Sequence, residues 1–86
     1  MNDVVIYTTP YCPFCWRAKG LLEKKSVGYD EIDVSADAEA RRRMMERADS
    51  HTVPQIFIGE RHVGGCDELY ELDFDGELDG LLGAGA

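Results

Sequence analysis

Apolar and polar positions along this chain follow two periods, and the switches between them set out its elements. Residues 3–8, Asp-Val-Val-Ile-Tyr-Thr, form a short β-branched and aromatic run bounded by Pro10. It is too brief for a helix and suits a buried strand. From Pro13 the period becomes helical. Cys15, Ala18, Leu21 and Leu22 fall on one stripe while Arg17, Lys19, Glu23 and Lys24 lie off it, which predicts a helix over 13–26. Gly28 stands just beyond, where a helix exit commonly takes glycine. Residues 29–34 mix polar and apolar positions, as a strand near a sheet edge does.

A second helix is expected from a cap at Ser35 or Asp37 to about Ala48. Asp37 and Glu39 sit in its first turn and Arg41, Arg42, Arg43 and Arg47 follow, the order that complements the helix dipole. Asp37 with Arg41, and Glu39 with Arg43, are spaced for i,i+4 pairs. The apolar stripe is thin: Ala40, Met44, Met45 and Ala48. Residues 55–58 and 61–63 flank Gly59-Glu60, a two-residue loop suited to a type II′ hairpin. Gly64-Gly65 ends the second of these strands. Leu69 and Leu72, then Leu78, Leu81 and Leu82, predict two short helices over 66–73 and 77–82, and the tail 83–86 is expected to fray. The order β-α-β-α-β-β-α-α contains one βαβ unit, hence a parallel pair, and one hairpin, hence an antiparallel pair. An α/β fold is expected, a mixed four-stranded sheet with helices on both faces.

At 86 residues, 44% hydrophobic and 30% charged, the chain has room for one small folded domain spanning 1–86. Its longest apolar run, 4–7, is far below the ~18–20 residues that cross a bilayer, and no basic segment precedes it. No membrane association and no secretory signal are expected, and the cytoplasm is the default compartment. The net charge of −8 argues against nucleic acid, whose phosphates call for clustered Lys and Arg. Most of that charge is C-terminal: Asp67, Glu68, Glu71, Asp73, Asp75, Glu77 and Asp79 occur without a single Lys or Arg. Such a run ordinarily serves solubility, and otherwise biases the choice of partners by charge.

The chemistry concentrates in Cys12-Pro13-Phe14-Cys15, between the first strand and the first helix. With Pro13 as first helical residue, Cys12 falls at the N-cap and Cys15 at the third helical position. The open amides of the helix start, with Arg17 and Lys19 one turn on, favour a thiolate at Cys12. Cys15 lies on the apolar stripe and stays a covered thiol. The pair thus divides into an attacking Cys12 and a resolving Cys15. A structural disulfide suits a cytosolic chain poorly. A zinc or iron–sulfur site would need further ligands from Cys66, His51 or His62, none at the usual spacing. A C-x-x-C beside a βαβ pattern is itself a redox signature, so no metal is expected.

Two further segments could serve that pair. Pro54 opens a strand, an ordinary edge position; a cis Val53–Pro54 bond would instead turn the Val53 N–H and C=O toward Cys12. Gly64-Gly65-Cys66-Asp67 is either a sharp strand-to-helix turn or a helix start open to an anion. Cys66 reads equally as a buried inert thiol or as a partly exposed, modifiable one. His51 and His62 read as surface or loop residues. Trp16 and the other aromatics read as packing, except Phe14, which is expected to be exposed between the cysteines.

Tyr-Thr-Thr-Pro-Tyr-Cys-Pro-Phe-Cys (7–15), Thr-Val-Pro-Gln-Ile-Phe-Ile (52–58) and Gly-Gly-Cys-Asp-Glu-Leu (64–69) resemble, in order and spacing, the dithiol glutaredoxins, in particular the short bacterial type. The resemblance implies a thioredoxin-like fold, a cis Val53–Pro54 bond and glutathione as co-substrate, with no bound cofactor. Cys12 and Cys15 match the family's catalytic pair. Cys12, Phe14, Thr52, Val53, Pro54, Gly65, Cys66 and Asp67 match its glutathione-binding positions: Thr52 and Val53 toward the cysteinyl backbone, Cys66 and Asp67 toward the γ-glutamyl end. Phe14 replaces the usual tyrosine. Thr9 stands where many members carry a lysine for the glycyl carboxylate, so Lys19 or Arg41 would have to supply that charge.

The implied partners are disulfide-containing or glutathionylated proteins and, indirectly, glutathione reductase with NADPH, and the chain is expected to act as a monomer. Two other readings remain open. One is a redoxin coupled to thioredoxin reductase. The other is a [2Fe–2S] carrier using Cys12 of two subunits and two glutathiones, which Pro13 disfavours by stiffening the loop.

Overall fold

The computed structural model describes residues 3–83. Strands β1 (Val4–Thr8), β2 (Asp30–Asp33), β3 (Gln55–Ile58) and β4 (Arg61–Gly64) form one sheet in the order β2-β1-β3-β4. β1 pairs in parallel with β2 and antiparallel with β3, and β3 pairs antiparallel with β4. The parallel pair is joined through α1 (Pro13–Lys24), as a parallel connection requires. Helices α2 (Ala38–Ala48), α3 (Cys66–Phe74) and α4 (Leu78–Leu82) complete the expected mixed α/β architecture. Among the described residues, no helix is long and apolar enough to cross a membrane.

The period of two along the central strands divides the core. Val4 and Ile6, with Ile56 and Ile58, face α1, α3 and α4, where Ala18, Leu22, Leu69 and Leu78 are wholly covered. Tyr7 and Phe57 turn to the opposite face and pack on Ala40, Met44 and Ala48 of α2. The stripe expected in α1 is the buried set Cys15, Ala18, Leu21 and Leu22. In α2 one stripe position departs from expectation: Met44 is buried but Met45 is exposed, a single residue's 100° rotation carrying it off a narrow face. Asp37, not Ser35, caps α2, its carboxylate accepting the Ala40 N–H at 3.0 Å. Ser35 instead donates its own N–H and hydroxyl to Asp33. The Asp37–Arg41 pair does not form, because capping occupies Asp37 and Arg41 reaches the His51 carbonyl. Glu39 binds Arg42 and, more distantly at 3.9 Å, Arg43.

The exit of α1 also differs from expectation. The helix ends at Lys24, short of residue 26, and Gly28 has no part in its capping. Ser26 takes the left-handed position, φ 60°, with its N–H bonded to the Glu23 carbonyl and the Val27 N–H bonded to the Leu22 carbonyl. This is a Schellman closure, with Val27 packed on the core. A serine Cβ in this region costs on the order of 1 kcal/mol. Ser26→Gly is therefore expected to raise the melting temperature by about 4–8 °C; a lower value in a thermal melt would show that the strain is absent.

The descent from β4 to α3 needs its glycines. Gly64 has φ 113°, and a Cβ there would lie 2.9 Å from a Glu68 carboxylate oxygen. The hairpin turn carries positive φ at Gly59 and not at Glu60, the type II′ pattern. Gly83 closes α4 at φ 76°; the remainder of the expected frayed tail lies outside the described residues.

Candidate active site

Cys12 is the N-cap of α1 because Pro13 begins the helix without needing an N–H partner. Its extended backbone, φ −105° and ψ 108°, aims the sulfur back at the first turn. The Cys15 N–H donates to Cys12 Sγ at 3.3 Å. The Val53–Pro54 bond is cis, and Cys12 Sγ lies 3.7 Å from the Val53 carbonyl, to which the thiol donates. The first and second motifs therefore meet at one sulfur.

The two cysteines differ as their positions on the helix dictate. Cys12 is half-buried, whereas Cys15 has no exposed surface, so only Cys12 can be approached from solvent. Burial pushes the Cys15 thiol up to about 12, helped by its hydrogen bond with Cys12; a backbone hydrogen bond from Thr9 and the Lys19 charge act in the opposite direction. Cys66 belongs to the core, 4% exposed, and burial raises its thiol as well. Cys66 is therefore buried rather than partly exposed.

A cleft of about 340 Å³ opens beside Cys12, between the Val53–Pro54 loop and the start of α3. Phe14, Thr52, Val53, Pro54, Gly65, Cys66 and Asp67 all line it. Every residue matched to a glutathione position other than Cys12 itself thus lines one hollow. Phe14 is exposed, as expected. At the start of α3 the Gly65 N–H is already bonded to Glu68 at 2.7 Å.

Ser50, Gln55 and His62 also line the cleft, and with Thr52 they form one polar chain. Ser50 Oγ and Thr52 Oγ1 are 2.9 Å apart, Gln55 Nε2 donates to Thr52 Oγ1 at 3.1 Å, and His62 Nε2 is 2.7 Å from Gln55 Oε1. His62 is thus a strand residue on the cleft and not merely a surface one, its ring stacked 4.8 Å from Phe57. Gln55 itself is buried. The hairpin puts His62 opposite Phe57, so the turn carried a signal for its place.

The cations near the cysteines have partners of their own. Lys19 is 2.9 Å from Glu31, whose same oxygen accepts from the buried Thr8 hydroxyl at 2.7 Å. Lys19 and then Thr8 hold the Glu31 carboxyl below the usual range. Arg17 lies over the Tyr70 ring at 5.4 Å. Neither Arg17 nor Lys19 hydrogen-bonds to Cys12. Arg41 donates to the His51 carbonyl at 3.1 Å, bracing the loop that carries Thr52. No Lys or Arg is among the residues lining the cleft. Trp16 departs from its packing role at 65% exposed, and Tyr11 and Phe74 are more exposed still.

Comparisons with known proteins agree with this fold. The family model described as Glutaredoxin matches residues 4–63. The chain is 54% identical over 84 residues to a glutaredoxin of Pseudomonas aeruginosa, covering 98% of this chain and 100% of that one. The solution structure of a glutaredoxin from Brucella melitensis superposes with a TM-score of 0.85 at 56% identity, over 100% of this chain and 94% of that one. The crystal structure of a buckwheat glutaredoxin–glutathione complex superposes with a TM-score of 0.87 at 30% identity, over 95% and 77% respectively.

Proposed function

This chain belongs to the glutaredoxin family, and from that membership we propose that Cys12 is its nucleophile, Cys15 its resolving thiol, and the cleft beside them its glutathione site. Glutathione-dependent thiol–disulfide oxidoreduction is the activity of the family, and the chain is such an oxidoreductase. The carrying observation is the asymmetry of the pair: one sulfur reachable at a helix N-cap and one fully covered behind it.

The exchange runs in balanced steps. Cys12 thiolate attacks one sulfur of a substrate disulfide, the substrate S–S bond breaks, and the other sulfur leaves as a thiolate that takes a proton. With a glutathione mixed disulfide the attacked sulfur is glutathione's, and a second glutathione thiolate then attacks it, releasing glutathione disulfide and restoring Cys12. With a protein disulfide, Cys15 attacks the Cys12 sulfur, the substrate leaves fully reduced, and two glutathiones later reduce the Cys12–Cys15 bond. The electrons come from glutathione, which glutathione reductase regenerates with NADPH.

Within the cleft, the Thr52 and Val53 backbone would pair with the cysteinyl part of glutathione, with Phe14 packed beside it and the amides of Cys66 and Asp67 toward the γ-glutamyl carboxylate. The hydrogen-bonded loop from Ser50 to Gln55 supports this by holding the Val53 edge in place before any ligand arrives. Half-buried Thr9, at the end of β1, is the position without the family's lysine.

An assay coupling glutathione, glutathione reductase and NADPH to a small mixed disulfide tests the function. Turnover is expected there, and turnover only with thioredoxin reductase would contradict it. In the same assay Thr9→Lys is expected to lower the KM for glutathione about two- to fivefold, the worth of one exposed ion pair. The gain should fade at high salt. An unchanged or raised KM would remove Thr9 from the glycyl end.

A further inference from the structure

Cys12 also borders a surface that contains none of the other residues matched to glutathione positions. A groove of about 380 Å³ is lined by Pro10, Tyr11, Cys12, Pro13 and Trp16, with no Lys, Arg, Asp or Glu among them. Tyr11 is 92% and Trp16 65% exposed, so two large rings face solvent around the reactive sulfur. A tripeptide with two carboxylates, an ammonium and no apolar side chain gains little from such a surface. A polypeptide held on Cys12 does not share that limit, because its residues next to the attacked cysteine must lie over the groove that Cys12 itself helps to form.

The rim beyond has a definite charge. Past Trp16, Arg17 borders a second hollow between α1 and α3 that holds Tyr70 and Phe74, the latter 91% exposed. Its acidic members are Asp67, Glu71, Asp73 and Asp75. Lys25 occupies Asp73 at 2.6 Å, and among the described residues no cation pairs with Asp67, Glu71 or Asp75. Arg17 is itself engaged with the Tyr70 ring.

We propose that protein substrates dock on this apolar collar and its acidic rim, so that the chain prefers disulfides whose attacked cysteine has a bulky apolar neighbour and Lys or Arg close by. The proposal rests on Cys12 as nucleophile. The chemistry is that of a protein disulfide: Cys12 displaces one substrate sulfur, Cys15 releases the other, the substrate gains two electrons and two protons, and two glutathiones restore the pair. Only the seating of the substrate is new.

Three cyclic peptide disulfides of equal ring size test it, with Leu and Lys, Ser and Lys, or Leu and Glu beside the cysteines, and hydroxyethyl disulfide as a small probe. The wild-type chain is expected to reduce the Leu–Lys peptide with a kcat/KM about tenfold above the Ser–Lys peptide, as burial of one aliphatic side chain implies. It should also prefer it severalfold over the Leu–Glu peptide, less so at high salt. Tyr11→Ser with Trp16→Ser should erase the preference for Leu and leave the hydroxyethyl disulfide rate unchanged. Glu71→Lys with Asp75→Lys should reverse the preference for Lys. Equal use of all three peptides, or variants that slow the small probe as much as the peptides, would overturn the docking surface. Failure of the wild type on the small probe would instead overturn the redox reading beneath it.

Discussion

Replacing Cys15 by serine is expected to leave the reduction of small glutathione mixed disulfides near its wild-type rate and to lower the reduction of protein disulfides by at least about tenfold. The first reaction needs only Cys12 and free glutathione. The second depends on an internal attack on the Cys12 sulfur before the substrate can re-form its own disulfide, and Cys15 is placed for that attack at the third position of α1. Its covered thiol lies well above the ordinary cysteine range, burial being the main cause. Deprotonation then limits resolution. In rapid-mixing experiments the resolving phase of the wild type should quicken with pH through the neutral and mildly alkaline range, by roughly tenfold per unit while the thiol stays protonated. The Cys15→Ser chain should lack that phase. Equal survival of both activities would show that Cys15 resolves nothing, and a resolving phase independent of pH would contradict a covered, protonated thiol.

Cys12→Ser has the larger effect. Loss of the nucleophile should lower both activities by at least about 10³-fold, because no other sulfur can take its place. Cys15 has no exposed surface and Cys66 is 4% exposed, both with thiols raised by burial. Neither can present a thiolate to a substrate at neutral pH while the fold holds. Steady-state rates with a small mixed disulfide and a protein disulfide measure this, and a variant retaining a tenth of either rate would place the chemistry on another residue. Tyr11, Trp16 and Phe14 surround the replaced sulfur at the surface and Pro13 still starts the helix, so the fold itself has no reason to fail.

The difference in exposure between the cysteines was readable before any coordinates, because it follows from one local fact. Proline begins a helix, so the residue before it is the cap, and three residues later the chain points into the apolar stripe. One βαβ unit and one hairpin likewise imply the parallel and the antiparallel pair, but not that β1 lies beside β3. What could not be read depended on contacts between distant segments. Lys19, one turn along α1, also pairs with Glu31 on the edge strand, itself held by Thr8, a contact that no local pattern announces. The turn at Gly59-Glu60 placed His62 opposite Phe57, but a register shift between Ile56 and Phe57 sets Gly64, not Val63, opposite Ile56, and no residue type announces such a shift. The exposed rings of Tyr11, Trp16 and Phe74 depart from the expected packing for a different reason. Hydrophobicity predicts burial only where the fold offers a partner surface, and these residues face outward around the site.

The most direct measurement is of where glutathione attaches. The Cys15→Ser chain, treated with glutathione disulfide, digested under non-reducing acidic conditions and mapped by tandem mass spectrometry, should carry one glutathione, on Cys12. Glutathione found on Cys66 instead, or a chain that stays unmodified, would contradict Cys12 as the nucleophile that carries it.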